Sequence, residues 1–380
     1  MGETPVVPPE LLRQLRTFDR EIASAGHPGT TGFVSETETN RLDEAWLGLR
    51  ASGLLRWGIP PDLGGLDVSQ RGMLAGYLDL ARGDLTTTFV LTQRNAACQR
   101  LAASPNQALR QRLLPGLARD ELFATVGISH LTTSRQYLAA PAVVARPCAG
   151  GFELEGEIPW VTGGARADWL ITGGTLPGGE QLLAAVQTGQ PGVEVAPAVD
   201  LLALSESSTG PVRLKQVRVA HEDLVHEPTP QVLKQGANLT AGSLSTSALA
   251  IGQALGAIED LADEAVSRPE LQEFVGALKA EADGLRDELL HAAQPEGCSG
   301  PGNVNERLRI RANSLVLRAT QVLLAATKGA GFVASHRAGR LAREALFYLV
   351  WSCPQPVVTA NLRELTQPGI AGLSTAHRPV

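Results

Sequence analysis

The apolar pattern of the chain changes twice along its 380 residues, and these changes limit the folds that it can adopt. Residues from about 8 to 120 show the three-to-four-residue spacing of amphipathic helices. From about 121 to 228 the apolar runs are short, β-branched or alternating, and turn residues separate them, which is typical of a small barrel or sandwich. After Pro228 the helical spacing returns. The pattern therefore predicts an α+β protein with three domains: an N-terminal helical domain (1–120), a central β-barrel or β-sandwich domain (121–228) and a C-terminal helical bundle (229–380).

Two long stretches of the last domain carry an apolar residue at every third or fourth position, which places these residues on one face of a helix. The first stretch contains Leu244, Ala248, Ile251, Leu255, Ile258 and Leu261, and the second contains Leu308, Ala312, Leu315, Ala319, Val322 and Ala326. We expect both faces to be buried inside the bundle.

Composition excludes several functions. The net charge of -6 and the lack of a long basic run argue against nucleic acid as the main ligand. No apolar run approaches the ~20 residues that a membrane span requires. The opening residues MGETPVVPPELLRQL lack the basic start and apolar core of a signal peptide. We therefore expect a cytoplasmic protein that binds neither nucleic acid nor a membrane.

The cysteines point to neither a metal site nor a disulfide framework. They are far apart and include no CxxC pair and no histidine at ligand spacing. We expect reduced thiols and no metal, as is usual in the cytoplasm. The four are Cys98, Cys148, Cys298 and Cys353.

The segment Gly151–Gly174 carries the motif Trp160-Val161-Thr162-Gly163-Gly164 between two strand-like runs. Phe152 and Leu154 alternate with glutamates before the motif, and Trp169-Leu170-Ile171 follows it as the next strand. Two interpretations are open for the motif alone. Trp160 can be sheet core beside a glycine turn, or it can cover a bound aromatic cofactor.

Four other segments also carry recognisable patterns, of which the first is the longest and most specific, and all five occur in the order of one known family. They are Gly58–Ser69 (GIPPDLGGLDVS), Leu113–Ala118 (LLPGLA), Val217–Val225 (VRVAHEDLV) and Lys328–Phe332 (KGAGF) with Arg340–Ala345 (RLAREA) behind it. Together with WVTGG they resemble the acyl-CoA dehydrogenase superfamily over nearly the whole chain. One departure is Asp120, which stands where the family usually has a glycine.

This resemblance implies the acyl-CoA dehydrogenase fold, with a four-helix bundle as the last domain and FAD as the cofactor. It implies a flavin-dependent redox enzyme that acts on an acyl-CoA or a similar small acyl substrate. Electrons would pass to an acceptor flavoprotein or to oxygen. A homodimer or homotetramer is also implied, because in relatives the glycine turn reaches the cofactor of a neighbouring subunit.

The resemblance also assigns cofactor contacts. Trp160 would cover a face of the isoalloxazine ring, and the Thr162 hydroxyl would bond its N5 atom. Ile128, Ser129 and Ser134 occupy the position of the family's loop over the flavin. Arg268, Gly329 and Gly331 match positions that reach the cofactor from the bundle. His130 stands where the loop usually has an acid, and it is a further candidate acid or base.

The usual catalytic base is missing. In most relatives a glutamate follows the Arg-x-x-Arg-acid run at a fixed distance, and counting on from Arg343-Glu344 brings that position to Ser352. A neutral serine has no basicity near neutral pH, and no nearby histidine activates it. Some relatives keep the base on an earlier helix, but Gly242 occupies that place. The sequence therefore identifies no catalytic base.

Three hypotheses remain open. The first is a dehydrogenase whose base is another carboxylate, for example Glu206, Asp200 or Glu344. The second is a flavin-dependent monooxygenase of the same superfamily, which needs no such base. The third is a non-catalytic protein that binds flavin or a partner.

Overall fold

A computed structural model describes residues 7–24, 36–66, 68–131, 140–235, 244–294 and 303–366. These residues fall into two compact units. Among the described residues, the first unit holds 7–15, 36–76 and 84–235, and the second holds 16–24, 77–83, 244–294 and 303–366.

The predicted order of helices, strands and helices is confirmed. The helices are α1 (Pro9–Ser24), α2 (Glu36–Ala51), α3 (Gln70–Gly83), α4 (Leu85–Ala102), α5 (Gln107–Ala118), α6 (Leu244–Ser267), α7 (Gln272–Ala292), α8 (Val304–Gly331), α9 (Arg337–Ala345) and α10 (Gln355–Thr366). The strands are β1 (Ala124–Val126), β2 (Val143–Cys148), β3 (Gly151–Val161), β4 (Trp169–Thr175), β5 (Gln181–Gln187), β6 (Val193–Val195), β7 (Gly210–Ala220) and β8 (Leu224–Thr229).

The strands form one mixed sheet with the order β6-β7-β3-β2-β4-β5-β8, and β1 pairs in parallel with β4. β5 shows why a continuous apolar run can be a strand. Leu182 packs into the core that the strands form among themselves, whereas Leu183 packs into the core shared with α4 and α5. Successive side chains of a strand point to opposite faces. β5 is therefore buried on both sides, and its sequence reads as apolar throughout.

Polar side chains fix the two helices that cover the sheet. Asp84 caps α4 because its carboxylate accepts the Thr87 N–H at 2.7 Å. Asn106 caps α5 in the same way. Arg94 of α4 is fully buried and donates to the Leu117 carbonyl at the end of α5. These bonds hold α4 and α5 in place within the first unit.

The matched segment Gly58–Ser69 and the residue Asp120 both have unusual backbone geometry. Gly64 has a φ of +90°, which L side chains rarely adopt. A Cβ on Gly65 would lie only 1.7 Å from the Ile59 carbonyl oxygen, so this position also excludes a side chain. Asp120 has a φ of +57°, and its carboxylate accepts the Trp46 indole N–H at 3.2 Å. Aspartate tolerates the left-handed region better than most residues, which explains how it replaces the family's glycine here.

The second unit confirms the predicted helical faces. All six apolar positions predicted on α6 are buried. On α8, Val322 is half-buried, and Leu323 takes the core position beside it. The other predicted positions of α8 are buried, as expected.

Glycines let another segment approach α6 closely. A Cβ on Gly252 would lie 2.4 Å from the Leu78 carbonyl oxygen, and one on Gly256 would lie 2.4 Å from that of Arg82. Because the two glycines are four residues apart, they lie on one face of the helix. Residues 77–83 therefore pack directly on the α6 backbone within the second unit.

Candidate functional site

An irregularity in β3 turns Trp160 out of the sheet core. Leu154 and Ile158 are buried, and the same two-residue alternation would also bury Trp160. Between Ile158 and Val161, however, β3 has one residue more than its partner β7, which is a β-bulge. Val161 is consequently 1% exposed and Trp160 is 50% exposed. The interpretation of Trp160 as sheet core is therefore wrong.

Directly after β3, the Thr162 hydroxyl belongs to a row of three buried hydroxyl groups. Its Oγ1 lies 3.0 Å from Thr209 Oγ1, which lies 2.8 Å from Ser207 Oγ. The Thr125 hydroxyl donates to the Thr162 carbonyl at 2.7 Å, and the Gly163 N–H donates to the Ser207 carbonyl at 2.9 Å. These bonds fix the Thr162 side chain at the end of the strand that carries Trp160.

The turn that contains Ser207 is itself held in place. Leu204 and Ser208 flank it with φ values of +65° and +48°, which cost free energy for residues with a Cβ. Glu206 accepts two bonds from the Arg41 guanidinium, at 2.7 and 3.2 Å. Arg41 also lies 3.6 Å from Asp84, the cap of α4. The Glu206 carboxylate is therefore engaged in fastening this turn.

The structure brings Ile128 and Ser129 close to β3. A Cβ on Gly127 would lie 3.1 Å from the side chains of both Ile158 and Val161, so the chain passes directly over the end of β3. The next residues form a 3-10 turn, Ser129–Leu131, that contacts β3 and β4. Ile128 is half-buried and Ser129 is exposed. Ser134 lies outside the described residues.

His130 points into the sheet. The residue is 9% exposed, and its Nε2 lies 3.0 Å from the Gly173 carbonyl oxygen. A carbonyl oxygen only accepts, so Nε2 carries a proton and donates it in this bond. The bond anchors the ring to β4.

The three predicted contacts of the second unit lie at helix ends. Arg268 follows α6, donates to the Ala326 carbonyl at 2.5 Å and forms an ion pair with Glu264. α8 bends before Gly329, where Lys328 has a φ of +52°. A Cβ on Gly329 would meet open space, whereas one on Gly331 would collide with the Thr327 hydroxyl. The Arg268 side chain is thus already bonded within its own unit.

Ser352 lies in an exposed turn that the bundle holds by its backbone. Its φ is +50°, in the left-handed region. The Arg309 guanidinium donates to the Trp351 carbonyl at 2.8 Å. The Cys353 thiol donates to the Tyr348 carbonyl at 3.1 Å, and the Asn313 amide donates to the same carbonyl at 3.0 Å. The turn offers a serine hydroxyl and no carboxylate.

A buried polar cluster lies behind this turn. Burial raises the pKa of Tyr348 well above its usual value, and the nearby Glu344 raises it further, while Arg309 opposes both effects. Burial also lowers the pKa of Arg309. Glu344 accepts bonds from Arg340 at 2.9 Å and from Gln253 at 3.1 Å. Of the three carboxylates considered as bases, Glu344 and Glu206 are thus bonded to arginine, and Asp200 is solvent-exposed.

Within the described ranges, no cluster of three or more His, Cys, Asp or Glu side chains could hold a metal ion. Cys98, Cys148 and Cys353 are free thiols, as predicted, and Cys298 lies outside the described residues. No helix in the described part of the chain is long and apolar enough to cross a membrane.

The sequence did not single out Ser207, Thr209 or Arg41. Thr209 meets Thr162 across 47 residues, and Arg41 meets Glu206 across 165. A local sequence pattern does not predict contacts between residues that are so far apart in the chain. The one available signal was the hydroxyl-rich run Ser205–Thr209, which contains four hydroxyl residues around Glu206.

Comparisons with known proteins agree with this architecture. The family model described as acyl-CoA dehydrogenase, N-terminal domain, matches residues 20–121. The probable acyl-CoA dehydrogenase FadE10 of Mycobacterium tuberculosis is 27% identical over 267 residues, which are 67% of this chain and 40% of FadE10. This chain therefore matches about two fifths of the length of that relative.

A second relative carries a different description. The probable FMNH2-dependent monooxygenase SfnC of Pseudomonas putida is 26% identical over 186 residues, which are 48% of this chain and 45% of SfnC. Among solved structures, a glutaryl-coenzyme A dehydrogenase in complex with glutaryl-CoA superposes with a TM-score of 0.74 at 18% identity. That match covers 94% of both chains, so the two share a fold.

Proposed function

We propose that the chain is a flavin-dependent oxidoreductase of the acyl-CoA dehydrogenase superfamily that acts on a small acyl substrate. The observation that carries the proposal is the exposed indole of Trp160 beside the oriented hydroxyl of Thr162. An indole that a bulge turns outward presents a flat apolar face, which a planar aromatic ring can cover.

The residues at the end of β3 fit a flavin. Trp160 would stack against the ring, and Thr162 would direct its hydroxyl to N5. Ser129 and the backbone of the Ile128–Leu131 turn would supply polar groups to the phosphates. When bound, the flavin supplies hydride exchange at N5. The protein's part is to hold the ring in one orientation and to exclude water from its covered face.

Several finer features belong to the same proposal. FAD is the proposed form of the flavin, and Ser134 is proposed to line its loop. Arg268, Gly329 and Gly331 are proposed to reach the cofactor of a neighbouring subunit in a homodimer or homotetramer. Arg268 would exchange its present bonds for that contact. The proposed location is the cytoplasm, and the proposed division into domains is 1–120, 121–228 and 229–380.

An acyl thioester is the proposed substrate class, with an acceptor flavoprotein taking the electrons. This reaction needs a base at the substrate's α-carbon. Neither Glu206 nor Glu344 is free to serve in its present contacts, because each is bonded to an arginine. Ser352 has no basicity to offer. If the chain dehydrogenates an acyl thioester, one option is a base other than Glu206, Glu344 and Ser352. The other option is that Glu206 or Glu344 serves as the base after its ion pair with arginine breaks.

The serine at position 352 favours a second candidate, a flavin-dependent monooxygenase. In this reaction a reduced flavin activates oxygen, so no carboxylate has to remove a substrate proton first. The similarity to SfnC, which carries the description of an FMNH2-dependent monooxygenase, supports this candidate.

Anaerobic spectroscopy separates the two reactions. The protein is loaded with FAD, oxygen is removed, and a panel of acyl-CoAs is added while the flavin absorbance is followed. Bleaching by an acyl-CoA supports dehydrogenation, and bleaching only by an external reductase or reduced flavin supports the monooxygenase. A protein that takes up neither FAD nor FMN would contradict the proposed function altogether.

A further inference from the structure

His130 is a buried, titratable side chain beside the proposed flavin site, and neither proposed reaction uses it. We propose that it is a positioning residue, whose ring fastens the Ile128–Leu131 turn to β4 in the conformation that contacts the flavin. This role differs from the acid or base that the sequence suggests. The inference rests on the proposed function, because it requires a flavin against this turn.

The His130 ring lies at a gap in the strand pairing of β4. Along the edge of β4 that faces away from β5, β1 pairs with Trp169–Ile171 and β2 pairs with Thr175. Gly173 lies between these two pairings and is buried. Its carbonyl oxygen accepts the His130 Nε2–H at 3.0 Å. Because a buried carbonyl without a donor costs free energy, the ring does here what a backbone N–H does elsewhere in a sheet.

β4 also holds the chain just before the turn. The Gly127 N–H donates to the Ile171 carbonyl at 2.9 Å, and the buried Thr172 hydroxyl donates to the Gly127 carbonyl at 2.6 Å. These two bonds fix the point at which the chain leaves the sheet, whereas His130 fixes the turn that follows. Three successive residues of β4, from Ile171 to Gly173, thus bond the segment 127–130. A turn fixed at both places presents its polar groups in one orientation.

An ionised acid at position 130, where the resemblance leads one to expect it, could not make this bond. A carboxylate and a carbonyl oxygen both accept hydrogen bonds, and neither donates one. The direct neighbour Ser129 is exposed, whereas His130 is buried. The anchor and the proposed flavin contact are therefore adjacent residues of one turn, so a shift of the first moves the second.

Loss of the anchor should weaken flavin binding, because affinity falls with the fraction of molecules whose turn is in place. His130→Leu keeps an apolar side chain and removes the donor. The Kd for FAD should rise about tenfold, as expected when one buried hydrogen bond no longer holds the turn. His130→Gln brings an amide N–H close to the position of Nε2, and its Kd should stay within about twofold of wild type.

Ser104→Ala is the matched control, because the buried Ser104 hydroxyl also donates to a backbone carbonyl of the sheet, that of Val225, at 2.7 Å. It should lower the melting temperature about as much as His130→Leu and leave the Kd for FAD unchanged. A second measurement needs no flavin. In hydrogen exchange of the full chain before FAD is added, peptides that contain residues 127–131 should exchange faster in His130→Leu, but not in His130→Gln or Ser104→Ala.

Each result supports or overturns the positioning role. Unchanged exchange at residues 127–131 in His130→Leu overturns it, and so does faster exchange with an unchanged Kd. An equal rise of the Kd in Ser104→Ala or in His130→Gln also overturns it. Should His130→Leu not fold, His130→Asn takes its place, because its amide is too short to reach the Nε2 position, and the same rise is expected. If wild type binds no flavin, the proposed function fails. If it binds flavin and His130→Leu binds it equally well, the positioning role alone fails.

Discussion

At the end of β3, a half-exposed indole stands beside three buried hydroxyls, whereas the Trp351–Cys353 turn bonds its carbonyl and thiol groups to its own bundle. The resemblance assigns chemistry to both places: the cofactor ring to the first and the catalytic base to the second. The first presents a half-exposed indole face that a planar ring can cover, whereas the second presents an exposed serine where the family has a carboxylate. The difference teaches that the cofactor and the reaction are separate inferences, and that the cofactor has the stronger physical support.

The largest expected effect comes from supplying the missing carboxylate. Ser352→Glu places a base at the family's position, on an exposed turn that can accept a longer side chain. A positioned general base is worth roughly 10²–10⁴ in rate. We expect anaerobic reduction of the bound flavin by an acyl-CoA to become at least about 100-fold faster, as measured by stopped-flow absorbance.

Ser352→Gln is the control for this variant, because it has the same length and no basicity. Faster flavin reduction with glutamine as well as with glutamate would mean that side-chain length, and not the lack of a base, limits the rate. No gain with either would mean that the chain already has a base elsewhere or that acyl-CoA is not its substrate.

The second largest effect is expected at the end of β3. Trp160→Ala should weaken flavin binding by roughly 10- to 100-fold, since it removes the stacking face. The melting temperature should hardly change, because the side chain is half-exposed and its removal opens no core cavity. Titration calorimetry with FAD and a thermal melt check both parts. Trp160→Phe, which keeps an aromatic face, should retain most of the affinity, and equal losses in the two variants would contradict a stacking role.

Two substitutions, one that removes a glycine and one that introduces a glycine, compare the backbone strain at the end of β3 with that in the Trp351–Cys353 turn. Gly163 has a φ of +68°, and a Cβ there would make only ordinary contacts with Phe123. Gly163→Ala should therefore lower the free energy of unfolding by about 1–2 kcal/mol through left-handed strain alone. Denaturant unfolding checks this value, and a loss far above it would point to a steric role that the structure does not contain.

The smallest effect is expected from the opposite substitution, in which a glycine replaces Ser352. Ser352 has a φ of +50°, so Ser352→Gly removes strain and adds some flexibility to the unfolded chain. We expect a net gain of about 0.5–1 kcal/mol in the free energy of unfolding. The same denaturant experiment measures it, with Ser352→Ala as the control that keeps a Cβ and gains nothing. Destabilisation by glycine would show that the serine hydroxyl makes a contact of its own.

Much of the fold could be predicted from the sequence because its signals are local. The helical faces of α6 and α8 follow from the spacing of their apolar residues, and the strands follow from short runs between turn residues. Val322 is the exception on α8. The next residue, Leu323, is also apolar, and it takes the core position without changing the helical spacing of the apolar residues.

The site was less predictable because its key contacts are not local. Alternation along β3 places Trp160 with the buried residues, and the bulge that reverses this depends on pairing with β7, a separate segment of the chain. Ser207 and Thr209 join the site through the same pairing. The placement of Thr162 beside Trp160 was readable from the motif, whereas its hydroxyl partners were not.

Hydrogen exchange in the presence and absence of FAD tests the central claim most directly, because it locates the bound flavin along the chain. If the end of β3 is the flavin site, peptides that contain residues 127–131 and 160–164 should gain protection when FAD binds, and Trp160→Ala should weaken that protection at equal FAD concentration. Saturable binding of FAD with no added protection in these peptides would contradict the account.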